Sequence, residues 1–302
     1  MQFDSRQLAA LSAILRLGSF EAAAGALGVT QSAISQRVKA LEEQVGSVLV
    51  LRESPCRGTE AGTRLAAHAD AVAAMEAQVT SDLGRADANQ GPMRLRLAVN
   101  ADSLATWFPA ALEGHDGMIF DLVVDDESHS ANWLRRGEVM AAVTDHARAV
   151  QGCDVTALGA LRYVATASPD FIARWFPKGI TAAALAAAPM LQFNEKDDLQ
   201  ANWMAAHFGR GIAPPVHRVP SSTAFVEAAQ RDIGWGMTPL TLVWRQIRRG
   251  QLVALKEDAP LDAPLYWQVS RMLAPVLAPL SEAVCARAGE VLEPPAEAAQ
   301  GA

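Results

Sequence analysis

Across residues 4–18 the apolar positions Leu8, Leu11, Ile14 and Leu15 recur at helical spacing, and Gly18 stops the run. Ser19 reads as an N-cap. Phe20, Ala23, Ala24 and Leu27 form the buried side of a short second helix, closed by the turn Gly28-Val29-Thr30. A third helix is predicted from Gln31 to Val45, with Ile34, Val38 and Leu41 at i, i+4 and i+7 and Gly46 as its end. Val48 to Leu51 reads as a short strand, and Arg52 to Gly58 as a loop containing Pro55. From Thr59 to Asp87 there is no proline, and the only glycines, Gly62 and Gly84, lie near the ends. Leu65, Val72 and Val79 are spaced by seven, with Met75 and Leu83 nearby. That narrow seam predicts a long helix that pairs with a second helix. Asn89-Gln90-Gly91-Pro92 breaks it.

Beyond the break the period changes. Leu95–Val99, Ile119–Val124, Val139–Thr144, Tyr163–Ala167, Met190–Phe193, Ile233–Met237 and Leu265–Val269 read as strands. Asp102–Leu112, Ser130–Arg136, Leu199–Phe208 and Thr223–Gln230 read as helices between them. This alternation predicts an α/β unit with a mainly parallel sheet covered on both faces. The segment from Pro294 to Ala302 reads as a disordered tail.

At 302 residues the chain can hold two or three domains. No apolar run approaches the ~20 residues of a membrane span. The start, MQFDSRQLAA, lacks a basic region followed by an apolar stretch, so a cytoplasmic protein without a membrane role is expected. Cys56, Cys153 and Cys285 are far apart, which disfavours a disulfide framework or a zinc site. The net charge of −7 argues mildly against nucleic acid. Residues 1–60, however, carry six basic and six acidic side chains, so the excess acid sits downstream.

Two short helices around a glycine turn form a helix-turn-helix. On the third helix Gln31, Ser32, Ser35, Gln36 and Lys39 fall opposite Ile34, Val38 and Leu41. Gln can bond adenine bidentately, Ser can donate or accept, and Lys suits guanine or phosphate. Arg37 lies nearer the flank. Arg52 and Arg57, beyond the short strand, suit phosphate or minor-groove contact. Periodicity alone leaves open a three-helix bundle whose polar face is merely solvated.

Ser19-Phe20-Glu21-Ala22-Ala23-Ala24, Leu27-Gly28-Val29-Thr30-Gln31-Ser32-Ala33-Ile34-Ser35-Gln36-Arg37, Leu41-Glu42, Gly46, Leu49, Arg52, Thr59 and Gly62 together resemble the N-terminal signature of LysR-type transcriptional regulators. Val50 departs from it, where many members carry Phe. Asn100-Ala101-Asp102-Ser103-Leu104-Ala105-Thr106-Trp107, Leu134-Arg135-Arg136-Gly137-Glu138-Val139, Leu158-Gly159-Ala160-Leu161, Phe176-Pro177 with Gly179, and Leu265-Tyr266-Trp267 resemble the ArgP/LysG branch, regulators of basic amino-acid export.

The resemblance implies an all-α winged helix-turn-helix over residues 1–58 and a linker and dimerisation helix over 59–89. The effector-binding domain over 90–302 would be two-lobed and periplasmic-binding-protein-like, with lobe I at 93–162 and 266–292 and lobe II at 163–265. It implies double-stranded promoter DNA and RNA polymerase as partners, a homodimer with further pairing to a homotetramer left open, lysine or arginine as effector, and an exporter gene as target. Another metabolic operon with a different effector remains an alternative. So does a solute-binding protein that never meets DNA, which the helix-turn-helix opposes.

A basic amino acid needs N–H donors for its carboxylate and acids for its ammonium groups, because an unpaired buried charge costs several kcal/mol. In open α/β sheets ligands sit beyond the carboxyl ends of strands. That selects Asp102 and Ser103 after the first strand, Asp126 within Asp125–Glu127 after the second, Thr144 at the end of the third, Asn194 after a later strand, and Ser222 at a helix start. Asp102, Ser103 and Ser222 are equally suited to capping helices, and the run Asp125–Glu127 to being a solvated turn. Trp107, Trp235 and Trp267 read as core. There is no HExxH, GxSxG or GxxxxGK[ST], so no catalytic role, metal or cofactor is called for. A triad assembled only in space leaves no such trace.

Overall fold

The computed structural model describes residues 2–84, 92–124 and 127–294. Helices α1 (Ser5–Leu17), α2 (Phe20–Ala26) and α3 (Gln31–Val45) pack around Leu11, Ile14, Ala23, Ile34, Val38 and Leu41, all fully enclosed. Asp4, Ser19 and Thr30 cap the three starts through their side-chain oxygens, satisfying N–H groups a helix leaves free. Gly18 and Gly46 end α1 and α3 in the left-handed conformation.

A wing follows. The expected strand is shorter, β1 (Val50–Leu51), and the expected loop contains its antiparallel partner β2 (Arg57–Gly58). Glu42 of α3 accepts the backbone N–H groups of Leu49 (2.8 Å) and Val50, fastening wing to helix.

Helix α4 (Glu60–Asp82) is capped by Thr59, whose hydroxyl accepts from the Gly62 N–H. The start of α4 lies so close to the wing that a Cβ on Gly62 would meet the Leu49 carbonyl oxygen at 1.9 Å. The seven-residue seam is divided. Leu65 packs on the N-terminal core, Val72 is half-buried, and Val79 and Leu83 are exposed. Asn89–Gly91 of the expected hinge lies outside the described residues, as does the tail from residue 295.

The remainder builds on β3 (Met93–Val99), α5 (Ala101–Ala105), a 3₁₀ turn (Phe108–Leu112), β4 (Met118–Val124), α6 (Glu127–Arg136), β5 (Ala141–Thr144), β6 (Cys153–Ala167), α7 (Pro169–Trp175), α8 (Ala182–Ala187), β7 (Met190–Gln192), α9 (Leu199–Phe208), β8 (Val216–Arg218), α10 (Ser222–Gln230), β9 (Gly236–Pro239), α11 (Leu240–Arg248), β10 (Val253–Ala254), β11 (Leu261–Ser270) and α12 (Ala274–Val291).

The main sheet is mixed, not mainly parallel. Only β3–β4 and β3–β5 pair parallel within it, whereas β6, β9, β10 and β11 pair antiparallel. The cause is β6. The expected strand at Tyr163–Ala167 is the end of a fifteen-residue strand. Its first part pairs with β11 beside β5, and its last residues pair with β9 and β10. Beyond it, β7 and β8 form a small parallel pair. The expected strand at 233–237 starts later because Asp232 takes a left-handed turn (φ 62°). The helix expected over 102–112 breaks between α5 and the 3₁₀ turn. There Thr106 hydrogen-bonds the Asp102 carbonyl at 2.6 Å, and Pro109 follows. Among the described residues no helix is long and apolar enough to cross a membrane.

Candidate functional sites

The N-terminal unit presents α3 outward. Ile34, Val38 and Leu41 fix its inner side, while Gln31, Ser32, Gln36 and Lys39 are exposed and Ser35 and Arg37 half-buried. Ser32 is within 3.0 Å of the Thr30 hydroxyl. Among the described residues Lys39 pairs with Glu43 alone, at 3.7 Å across an exposed pair, a contact weak enough to exchange for a phosphate. On the wing Arg57 is exposed, and the Arg52 guanidinium stacks 4.9 Å from the Phe20 ring centre, which holds it at the edge of the same surface. A convex helix with amide, hydroxyl and ammonium groups outward and two arginines beside it has the shape and chemistry to enter a major groove.

The second site lies where β3, β6 and α10 meet. Asp102, in the first turn of α5, accepts hydrogen bonds from the Tyr163 hydroxyl (2.7 Å) and the Ser222 hydroxyl (2.6 Å). Tyr163 sits on β6 where its pairing passes from β11 to β9, and Ser222 opens α10. One carboxylate therefore joins segments 61 and 120 residues away in sequence. Burial pushes the Asp102 carboxyl above its ordinary value, while the two hydroxyls pull it back and the negative charge of Asp197 pushes it further up.

Asp197, in the loop after β7, is also raised by burial. It is held by the N–H groups of Phe193 (2.8 Å) and Leu199 (3.1 Å) and by the Gln200 amide (3.2 Å). Two partly buried acids close enough to feel each other form a locally negative site that suits a cation with more than one ammonium or guanidinium group.

The capping alternatives fail for the serine and the aspartate. Ser221, not Ser222, caps α10, and Asn100 occupies the cap position of α5. Ser222 is thus free to bond Asp102. Ser103 is turned away from the site: it is fully buried, and its hydroxyl accepts from the Trp107 indole at 3.1 Å. The five-residue α5 is also too short to supply the helix-end donors expected there. Thr144 is likewise enclosed, with its hydroxyl taken by the Gln268 amide at 3.0 Å. Asn194 is half-buried in the Asp197 loop, where its side chain accepts the Lys196 N–H. Asp126 lies outside the described residues. Trp107, Trp235 and Trp267 are core.

Sequence reading missed Tyr163 and Asp197. Tyr163 is one of two tyrosines and falls at the expected crossing between lobes, while Asp197 lies in the polar run Asn194-Glu195-Lys196-Asp197-Asp198 after a strand. Those were the available signals.

Residues 5–63 match the bacterial regulatory helix-turn-helix protein family of lysR type, and residues 88–288 match the LysR substrate binding domain. The chain is 44% identical over 287 residues to the HTH-type transcriptional regulator LysG of Mycobacterium tuberculosis, covering 95% of this chain and 94% of that one. The crystal structure of ArgP from Mycobacterium tuberculosis superposes with a TM-score of 0.80 at 43% identity, over 97% of this chain and 100% of that one. Full-length LysG from Corynebacterium glutamicum with bound effector Arg superposes with a TM-score of 0.67 at 38% identity, over 97% and 100%. The chain belongs to the LysR family of bacterial helix-turn-helix transcriptional regulators.

Proposed function

We propose that this regulator senses lysine or arginine at the Asp102 site and reads promoter DNA with α3, acting by binding rather than catalysis in the cytoplasm. The observation that carries the reading is the Asp102 carboxylate, shared by Tyr163 of β6 and Ser222 of α10 and reinforced by Asp197. The arginine-bound relative supports the effector class. An incoming ammonium or guanidinium group replaces one hydroxyl partner of Asp102 and neutralises the acid pair. The first turn of α10 supplies N–H donors for the ligand carboxylate. Because Asp102 and Ser222 belong to different segments, a ligand held between them favours one lobe arrangement through differential affinity.

The DNA-reading unit works as a homodimer through α4, whose exposed Val79 and Leu83 need a cover. Its dyad calls for a partly palindromic site with half-sites about one helical turn apart, or a multiple of that. The effector shift changes DNA bend and RNA polymerase recruitment. The target, by the branch the sequence resembles, is an exporter gene. Titration calorimetry with lysine, arginine and norleucine tests the effector. Saturable heats for a basic amino acid and none for norleucine are expected, whereas equal heats for all three, or none, would contradict the assignment.

A further inference from the structure

A cavity of about 1270 Å³ separates the N-terminal unit, α4 and the underside of the sheet around β3. Among the described residues it is lined by eight arginines against three acids, Asp70, Asp121 and Glu138. That is a local excess of positive charge in a chain whose net charge is −7. The arginines converge from separate elements: Arg16 on α1, Arg57 on β2, Arg64 on α4, and Arg94 and Arg96 on β3.

Internal acids cover only part of this charge. Arg96 has Asp121 at 3.3 Å, Arg136 has Glu138 at 3.9 Å, and Arg271 has Asp154 at 2.9 Å. Arg16, Arg57, Arg64 and Arg94 form no ion pair within 4.0 Å among the described residues. The Arg96 Nε is the atom that faces Asp121, without hydrogen-bond geometry, and its guanidinium lies 5.7 Å from the Trp133 ring centre. Asp70, on α4, accepts from the Ser12 hydroxyl of α1 at 2.7 Å, and its charge acts on Arg16, Arg94 and Arg96, so one acid is set against three guanidinium groups.

Eight guanidinium groups lining one cavity with three acids leave a net repulsion that an anion reduces. Their planar donor forks match phosphate oxygens bidentately. The volume exceeds that of ordinary small-molecule pockets, and the walls include Phe120, Leu134, Met140 and Leu273, on which a flat base can pack.

We propose that this cavity is a second ligand site, distinct from the Asp102 cleft, that takes a multivalent phosphate compound of the nucleoside polyphosphate class. The ligand bridges Arg16 and Arg64, on the DNA-reading side, to Arg94 and Arg96 of β3. Strand β3 leads within three residues to Asp102. An anion here therefore sets the position of the DNA-reading unit against the strand that leads into the helix carrying Asp102.

The test is calorimetry of the full-length protein with inorganic tripolyphosphate and with ATP, each with and without saturating promoter DNA. It is repeated on the double variant Arg64→Gln with Arg94→Gln. The wild type is expected to bind saturably with and without DNA, more weakly as salt rises. The double variant should lose on the order of tenfold or more in affinity, as removal of charged hydrogen-bond donors does, while its lysine affinity is unchanged. Binding of both compounds assigns the recognition to phosphate alone, and binding of ATP only adds the base. Absence of saturable binding, or binding that DNA abolishes and the double variant leaves intact, overturns the proposal. The second result would place the anions on the DNA-reading face.

Discussion

Replacing Asp102 with Asn tests the cleft through two opposite effects. The substitution keeps size and some hydrogen bonding to Tyr163 and Ser222, but removes the charge with which the proposed cationic effector would pair. A charge-assisted hydrogen bond is worth about 2–3 kcal/mol, so the dissociation constant for lysine or arginine should rise by roughly 30- to 140-fold. Stability should move the other way. The folded-state pKa of Asp102 is raised by burial, so its contribution to folding is fully present below the unfolded carboxyl pKa and is lost as pH rises through the folded one. Above the unfolded carboxyl pKa the acid therefore counts against the fold, and Asp102→Asn should leave the melting temperature of the ligand-free protein equal or higher there, with no gain in acid.

Effector affinity of the unaltered protein should fall as pH drops through the raised Asp102 value, because a protonated acid cannot pair with a cation. The variant should keep only the weaker dependence that Asp197 contributes. Calorimetry across pH, with thermal melts on the same samples, reads all three. An unchanged lysine affinity in a folded variant would refute the role given to Asp102. A lowered melting temperature near neutral pH would refute the account of its burial.

Ser35→Ala or Gln36→Ala, on the outward side of α3, should lower operator affinity by about 1–3 kcal/mol and leave the melting curve unaltered, as read by fluorescence anisotropy. Gly62→Ala places a Cβ 1.9 Å from the Leu49 carbonyl oxygen; the forced shift of wing or helix should cost about 1–3 kcal/mol of stability, and a melt equal to wild type would show that α4 is not seated as described. Val79→Asp with Leu83→Asp puts charge on the uncovered end of α4. It should weaken self-association by at least about 3 kcal/mol, visible in sedimentation, because two apolar side chains lose their burial.

What the sequence revealed depended on range. The α3 surface was readable because Ile34, Val38 and Leu41 define the buried side locally, and the exposed residues follow from them. The Asp102 contacts were half readable. Asp102 and Ser222 stand out as polar residues at element ends, but their contact spans 120 residues and nothing local encodes it. Ser103 and Thr144 carry the same local signal and face the core, because a hydroxyl satisfies an indole or an amide as readily as a ligand. Strand β6 was seen only where its side chains are buried on both faces. Upstream its alternation is interrupted by Gly159, whose φ of 129° accommodates the close approach of the Glu293 carbonyl. Helix α12 was hidden by Pro275 and Pro279, the first at a helix start where no N–H is needed, the second inside the helix.

The most direct test of the whole account joins its two surfaces in one tube. Fluorescence anisotropy of the full-length protein on labelled DNA from its own upstream region, titrated with lysine, arginine or norleucine, should show salt-sensitive binding that exceeds binding to a scrambled fragment. Its affinity or DNA bend should change only with the basic amino acids. Equal binding to both fragments, or a complex indifferent to lysine and arginine, would contradict it.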